Sequence, residues 1–199
     1  MGPVEWNERY QSVDRVWSAG PNLYVEDRLR VDQPARGLDL AAGEGRNSVW
    51  LSERGWSMTA VDFSEVGVQK GIGRASGTEF IVADVLDWEP DGDFDLVLIT
   101  YLHLRPTDFE SVVRRSVQWL RPGGQIFLVG HHTSNLDRGW GGPQYLEILW
   151  DVEQIVGWID GLTVVEAGVV RRPVETDAGT QLARDALIRA RAAIEIPAE

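Results

Sequence analysis

Apolar positions along this chain switch between two periods. From Arg36 to Val129, short apolar runs of strand length alternate with stretches of helical spacing, the order that a parallel sheet with crossover helices requires. The first run, Gly37-Leu38-Asp39-Leu40, carries an acid and breaks into Ala41-Ala42-Gly43-Glu44-Gly45 before helical spacing resumes from Ser48 to Arg54. Met58 to Val61 is a second run closed by Asp62, and Phe80 to Val85 a third that holds Asp84. Asp93 to Thr100 is a fourth, and Gln125 to Val129 a fifth. Thr107-x-x-Glu110 reads as a capping box opening a helix, with Phe109, Val112, Val113, Ser116, Val117 and Leu120 on one face.

Beyond the fifth strand, His131 to Pro143 is a polar, glycine-rich loop, and Tyr145 to Ile159 returns to helical spacing through Leu146, Leu149, Val152 and Val156. Leu162 to Val170 predicts a sixth strand and Gln181 to Arg191 a seventh, antiparallel one. Upstream, residues 1–32 predict a cap: a short helix around Trp6 to Tyr10, a turn at Gly20-Pro21, and a helix from Asn22 to Leu29 with Asn22 as its N-cap. No internal repeat or linker interrupts the pattern, which predicts one domain over 1–199, with the cap at 1–32 and the core at 33–199.

A strand, a small-residue turn and a helix start bring backbone N–H groups to a ligand. An acid at the tip of the next strand, about 20 residues on, takes the hydroxyls of a ribose. The pattern therefore predicts a nucleoside-bearing cofactor. A dinucleotide fingerprint needs three glycines, and its places here hold Ala41, Gly43 and Arg46. The pattern Asp-x-small-x-Gly-x-Gly is met by Asp39, Ala41, Gly43 and Gly45. On these residues the chain resembles the class I S-adenosylmethionine (SAM)-dependent methyltransferases. Asp84, Phe94-Asp95-Leu96-Val97 and Leu120-Arg121-Pro122-Gly123-Gly124 extend the resemblance over most of the chain. The fold it implies is α/β, a Rossmann-like doubly wound seven-stranded sheet, mostly parallel with an antiparallel last strand and a short N-terminal helical cap. Gly45-Arg46-Asn47-Ser48, Trp6-x-x-Arg9-Tyr10 and Trp17-Ser18 resemble the tellurite-resistance and thiopurine methyltransferase branch, whose N-terminal segment covers the cofactor. Two departures stand out. Ala41 replaces a common glycine, tolerable if φ stays negative there. The short interval from Asp62 to Asp84, crowded with Gly67, Gly71, Gly73 and Gly77, predicts a stunted helix.

The resemblance implies SAM as cofactor and S-adenosylhomocysteine as product. Ala41, Gly43 and Gly45 would face the cofactor with backbone, Asp62 would hold the ribose, and Asp84 with Val85 the adenine edge, with Phe63 and Leu86 on the faces of the ring. Asp39 would accept N–H groups of the glycine loop, since a buried, unpaired carboxylate is costly. Arg46 with Asn47, where a cation opposes the helix dipole, would meet the methionine carboxylate. Trp6, Tyr10 and Trp17 offer aromatic faces to a sulfonium that cannot donate hydrogen bonds. Thr100 and Tyr101, at the end of the fourth strand, complete the candidate cofactor residues. His103 and His131 follow strand ends and are the candidate general bases; no residues stand at metal-ligand spacing.

The sequence has 199 residues, 43% of them apolar, and no cysteine. That suits one globular core, excludes disulfides and a thiolate nucleophile, and is consistent with a cytoplasmic protein. No secretory signal or membrane-length apolar stretch occurs. A formal charge of −12 argues against a nucleic-acid substrate. Of nine tryptophans, Trp50, Trp119, Trp150 and Trp158 fall at core spacing. The expected activity is methyl transfer to a small-molecule acceptor, with a soft sulfur, selenium or tellurium nucleophile implied by the branch, in a monomer or homodimer. A SAM- or S-adenosylhomocysteine-binding protein without turnover is the alternative, and an NAD-dependent oxidoreductase a weaker one.

Overall fold

The computed structural model describes residues 2–30, 32–74 and 77–194; of the cap, residues 1 and 31 lie outside them. The chain divides into two compact units, Met1–Ile99 and Thr100–Glu199.

The first unit begins with the cap, helices α1 (Pro3–Ser12) and α2 (Leu23–Leu29). Pro3 at the first helical position and Glu5, whose carboxylate accepts from Gly2 N–H at 2.7 Å, start α1. Asn22 caps α2 as expected, its side chain accepting from Tyr24 N–H at 2.9 Å. The sheet part runs β1 (Arg36–Leu40), α3 (Arg46–Ser52), β2 (Ser57–Asp62), α4 (Glu65–Ile72), β3 (Thr78–Val82) and β4 (Phe94–Thr100). Its strands lie in the order β3-β2-β1-β4, and β1–β2, β1–β4 and β2–β3 are parallel. From Gly37 to Leu40, β1 is buried on both faces, which is why this strand reads as a continuous apolar run. Helix α4 is short, as its glycines predicted, and those glycines are packing residues. A Cβ on Gly71 would collide with Phe80, and one on Gly67 would press on Tyr10 and the Gly43 backbone.

The second unit holds α5 (Pro106–Gln118), β5 (Leu120–His131), α6 (Asn135–Arg138), a 3₁₀ turn (Leu146–Ile148), α7 (Val152–Val156), β6 (Thr163–Thr176) and β7 (Gly179–Arg191). Strand β7 runs antiparallel to both β5 and β6. Four strands of the first unit and three of the second make the seven expected, mostly parallel with an antiparallel end. Phe109, Val112, Val113 and Ser116 form the buried stripe of α5. The start of α5 differs from expectation: Pro106, with φ fixed, takes the first helical position behind Arg105, so Thr107 lies inside the helix and caps nothing.

The continuous helix expected over 145–159 is also replaced. Leu149 is extended, and Trp150 pairs with the end of β5, donating its N–H to His131 O at 2.8 Å while its own carbonyl accepts from Thr133 N–H. Asp151 then caps the short α7 through Gln154 N–H at 2.9 Å. Packing drives the exchange: the Trp150 ring stacks on Phe109 at 4.5 Å and lies over Gly130, where a Cβ would collide with it. Trp50, Trp119, Trp150 and Trp158 are all buried, as their spacing implied.

Candidate functional site

In the first unit the loop after β1 turns on three left-handed residues, Ala41 (φ 55°), Gly43 (φ 59°) and Gly45 (φ 70°). The expectation of negative φ at Ala41 therefore fails, and its methyl bears a strain of about 1–2 kcal/mol. Gly45 is the N-cap of α3, and a Cβ there would strike the Phe80 ring. Asp39 does not order the loop through its N–H groups. Its carboxylate accepts from Ser48 Oγ at 2.7 Å, in the first turn of α3, so it anchors the helix start from within β1. Its other oxygen is buried without a partner. Burial raises its pKa to about 7, the Ser48 hydroxyl and Arg46 opposing.

Asp62 ends β2, almost fully buried. One carboxylate oxygen accepts from Gly43 N–H at 2.8 Å and the other from Ser64 N–H at 2.8 Å. Burial raises its pKa, the two N–H bonds oppose, and Asp84 adds repulsion. The neighbouring strand end follows in register: Asp62 pairs with Val82, and Ala83 N–H donates to Asp62 O at 3.0 Å. Asp84 is exposed and accepts from Leu86 N–H at 3.0 Å. Val85 is buried beneath, while Phe63 is half-buried and Leu86 exposed. An acceptor-only acid, apolar faces and a solvent-facing acid thus line the carboxyl ends of β2 and β3, where ligands of open α/β sheets bind.

The cap packs on this loop. Trp6 and Tyr10 stack at 5.6 Å, and Trp17 Nε1 donates to Tyr10 Oη at 3.3 Å. Tyr10 is buried, and that burial, with Asp62 near, raises its phenol pKa. A Cβ on Gly43 would collide with the Tyr10 hydroxyl, so glycine here serves the cap as well as the turn. Arg9 stands over the rings of Trp6 and Trp17 at 5.0 and 5.4 Å, and Arg46 over Trp17 at 5.7 Å. Arg46 also donates to Ser18 Oγ at 2.9 Å. Asn47 is buried and accepts from Asn22 N–H at 2.8 Å, tying α3 to α2. Sequence reasoning missed Glu44. Buried within the loop, it lies 3.6 Å from Lys70 and 3.8 Å from Arg74 and accepts from Val16 N–H at 3.2 Å, fastening the cap's turn to the loop and α4.

In the second unit the strand ends carry different chemistry. Tyr101, directly after Thr100, is left-handed (φ 56°), with its N–H on Val129 O at 2.7 Å. His131 closes β5 directly opposite Asp185 on β7, and Asp185 pairs in turn with Val170 of β6, which puts Arg172 on the same face, one diagonal step away. Asp185 is fully buried. It accepts from Tyr101 Oη and from Arg172 Nε, each at 2.8 Å, and lies 3.1 Å from His131 Nδ1. Burial pushes its pKa up, but His131, Arg172 and Tyr101 outweigh that and hold it below the usual range. His103 stacks on His131 at 5.4 Å, 12° from parallel, and its Nδ1 lies 2.9 Å from Ile148 O. Burial lowers the pKa of His103 to about 4. Beyond β5 a hollow of about 410 Å³ is lined by Asn135, Leu136, Gly139, Trp140, Gly141 and Gln144. Asp185 and Arg172 were not foreseen; the available signal was an acid inside the apolar run from Leu182 to Ile188, the feature that had marked Asp39.

Residues 38–124 match the family described as a methyltransferase domain. The demethylmenaquinone methyltransferase of Clavibacter sepedonicus is 36% identical over 137 residues, 65% of this chain and 56% of that protein. The phosphoethanolamine N-methyltransferase of Triticum aestivum is 33% identical over 99 residues, 46% of this chain and 20% of that protein. The chain thus spans about half or less of the length of these relatives. Among solved structures, TehB from Haemophilus influenzae superposes with a TM-score of 0.74 at 18% identity, covering 94% of this chain and 67% of TehB. The N-methyltransferase NodS from Bradyrhizobium japonicum, in complex with S-adenosylhomocysteine, superposes with a TM-score of 0.71 at 18% identity, covering 94% and 97%. Residues 38–124 thus match a methyltransferase domain, and the chain shares its fold with TehB and NodS.

Proposed function

We propose that the chain transfers a methyl group from SAM to a small-molecule acceptor. The carrying observation is Asp62: an almost fully buried carboxylate at a strand's carboxyl end, with one backbone N–H on each oxygen. Each oxygen keeps a second lone pair, so the group accepts hydroxyl hydrogens without breaking its own bonds. The residues fit the cofactor in other respects too. Phe63 and Leu86 leave apolar surface uncovered, the exposed Asp84 accepts hydrogen bonds, and the loop carries no side chain of its own at Gly43 and Gly45. Asp62 would hold the ribose, Asp84 and Val85 the adenine edge, and Ala41, Gly43 and Gly45 the methionine end, with Asp39 anchoring the helix behind. Arg46, Asn47 and the aromatic cap of Trp6, Tyr10 and Trp17 would complete the enclosure, and Thr100 and Tyr101 are proposed to border the cofactor. When bound, SAM supplies a methyl group activated by a positive sulfur, so the protein's own task is alignment and exclusion of water.

His103 and His131 are proposed to handle the acceptor, with the hollow beside Trp140 receiving its body. A soft sulfur, selenium or tellurium acceptor remains a reading from resemblance, shared with TehB in fold alone. One domain over 1–199, acting in the cytoplasm as a monomer or homodimer, is part of the proposal; the cysteine-free sequence is consistent with the cytoplasm. Among the described residues no helix is long and apolar enough to cross a membrane. The test is formation of S-adenosylhomocysteine from SAM with a panel of hydroxyl, amine and thiol acceptors. Turnover is expected with at least one class. Binding without any turnover would favour the non-catalytic alternative, and stabilisation by NAD alone would overturn the proposal.

A further inference from the structure

Two arginines of the second unit stand directly opposite each other without an acid to pair them. Arg171 of β6 is registered against Arg184 of β7, one step beyond the Val170–Asp185 pair. Successive residues of a strand alternate faces, so both lie on the face away from Asp185 and Arg172. Like charges directly opposite on a sheet repel. Among the described residues no acid forms an ion pair with either guanidinium: Asp185 holds Arg172, and Glu166 faces Arg189. Glu175, the next acid on that face of β6, accepts instead from Thr180 Oγ1, its cross-strand partner, at 2.9 Å.

The surroundings hold one of the pair in place. Arg184 Nε donates to Ser134 Oγ at 2.8 Å, and that oxygen lies 2.8 Å from His132 Nδ1. This contact occupies Nε alone, so the terminal nitrogens of the guanidinium fork keep their donors. Arg171 is exposed and makes no hydrogen bond with the described residues. Asn135, only 2% exposed, accepts from Arg184 N–H at 2.7 Å and donates to Gly141 O at 2.8 Å. The same Asn135 lines the hollow of about 410 Å³, with Leu136 and the exposed Trp140 as apolar wall. The arginine pair is thereby tied to the edge of a cavity. The formal charge of −12 does not cancel it, because exposed charges more than about 8 Å away are largely screened at physiological ionic strength.

We propose that Arg171 and Arg184 form an anion subsite, which holds a phosphate monoester or carboxylate carried by the methyl acceptor while the acceptor's uncharged body rests beside Trp140. The purpose of the subsite rests on the methyltransferase reading; its chemistry does not. An oxyanion between two facing guanidiniums offsets their repulsion and takes parallel N–H bonds from the open fork of Arg184. A small acceptor without such a group would lose this anchor, so the pair selects among acceptors by charge, at a distance from the atom that is methylated.

The test is titration of the full chain with phenyl phosphate, benzoate and phenol at constant ionic strength, followed by backbone amide NMR without cofactor or turnover. At least one of the two anions should shift the amides of Arg184 and Asn135, and the tighter one tells a phosphate subsite from a carboxylate subsite. Phenol should bind at least about tenfold more weakly, the scale of one hydrogen bond to a charged group. Arg171→Gln and Arg184→Gln should each weaken the anion by about tenfold, whereas Arg105→Gln, an exposed arginine ahead of α5, should leave it unchanged. No anion binding, phenol binding as tightly as the anions, or an equal loss in Arg105→Gln would overturn the proposal. If Arg184→Gln does not fold, Arg171→Gln, whose side chain has no bond to lose, still decides. Affinity for S-adenosylhomocysteine should be the same in wild type and both glutamine variants. A wild type that binds the anion but not S-adenosylhomocysteine would remove the methyltransferase reading and leave the subsite standing.

Discussion

Asp62 and Asp185 are both buried carboxylates, one at the rim of each unit, yet their surroundings are opposite. Asp62 is satisfied by two backbone N–H groups and has no cation among its partners, so burial dominates and raises its pKa. Asp185 takes a guanidinium and a phenol on one oxygen, with an imidazole 3.1 Å from the other, and its pKa is held down. A carboxylate held by fixed dipoles suits neutral hydroxyl ligands. One tied to a titratable ring is suited to steering a proton. On the proposed function, binding would fall to the first carboxylate and proton handling to the second, and substitutions at each should separate the two.

The largest expected effect is on the first unit. Asp62→Ala should weaken S-adenosylhomocysteine by at least about 100-fold in calorimetry, roughly 2.7 kcal/mol, since the ligand hydroxyls and two loop N–H groups all lose their acceptor. Unchanged affinity would remove Asp62 from the site and end the comparison. Next, Asp185→Asn should lower kcat for a hydroxyl or amine acceptor by roughly 100-fold or more, the scale of general base catalysis, with affinity for S-adenosylhomocysteine unchanged. A matching loss of cofactor affinity would show that the division is false.

A smaller effect concerns Asp39. Its pKa is near 7 in the fold and about 3.9 when unfolded, so between those values the native state binds more protons. Its contribution therefore favours the fold below about pH 4 and is lost as pH rises toward 7, by up to about 1.4 kcal/mol per pH unit. Asp39→Asn should match wild type in urea melts near pH 3.5, exceed it progressively from about pH 4 to 7 and hold that lead at pH 8; a difference that does not change between pH 4 and 7 would contradict the assignment. Smallest is Ala41→Gly. It relieves the left-handed alanine but frees the unfolded chain, for a net gain below about 1 kcal/mol.

The parallel part of the fold was legible because its signals are local. Strand-length runs, a glycine turn and strand-end acids need no knowledge of partners, and Asp39, Asp62 and Asp84 all emerged from that pattern. What escaped depended on distant contacts. Trp150 breaks its helical pattern because β5 offers backbone pairing and Phe109 offers a ring face. Thr107 loses its cap because Pro106 claims the first turn. Asp185 and Arg172 become neighbours only through the β6–β7 register, which no spacing along the chain reveals. Glu44 gains its role only from Lys70 and Arg74, which are distant along the chain.

Isothermal titration of the wild-type chain with S-adenosylhomocysteine tests the central claim most directly. One site per chain is expected, with the heat abolished by Asp62→Ala. A wild-type chain that stays folded yet gives no heat with either this product or SAM would contradict the account.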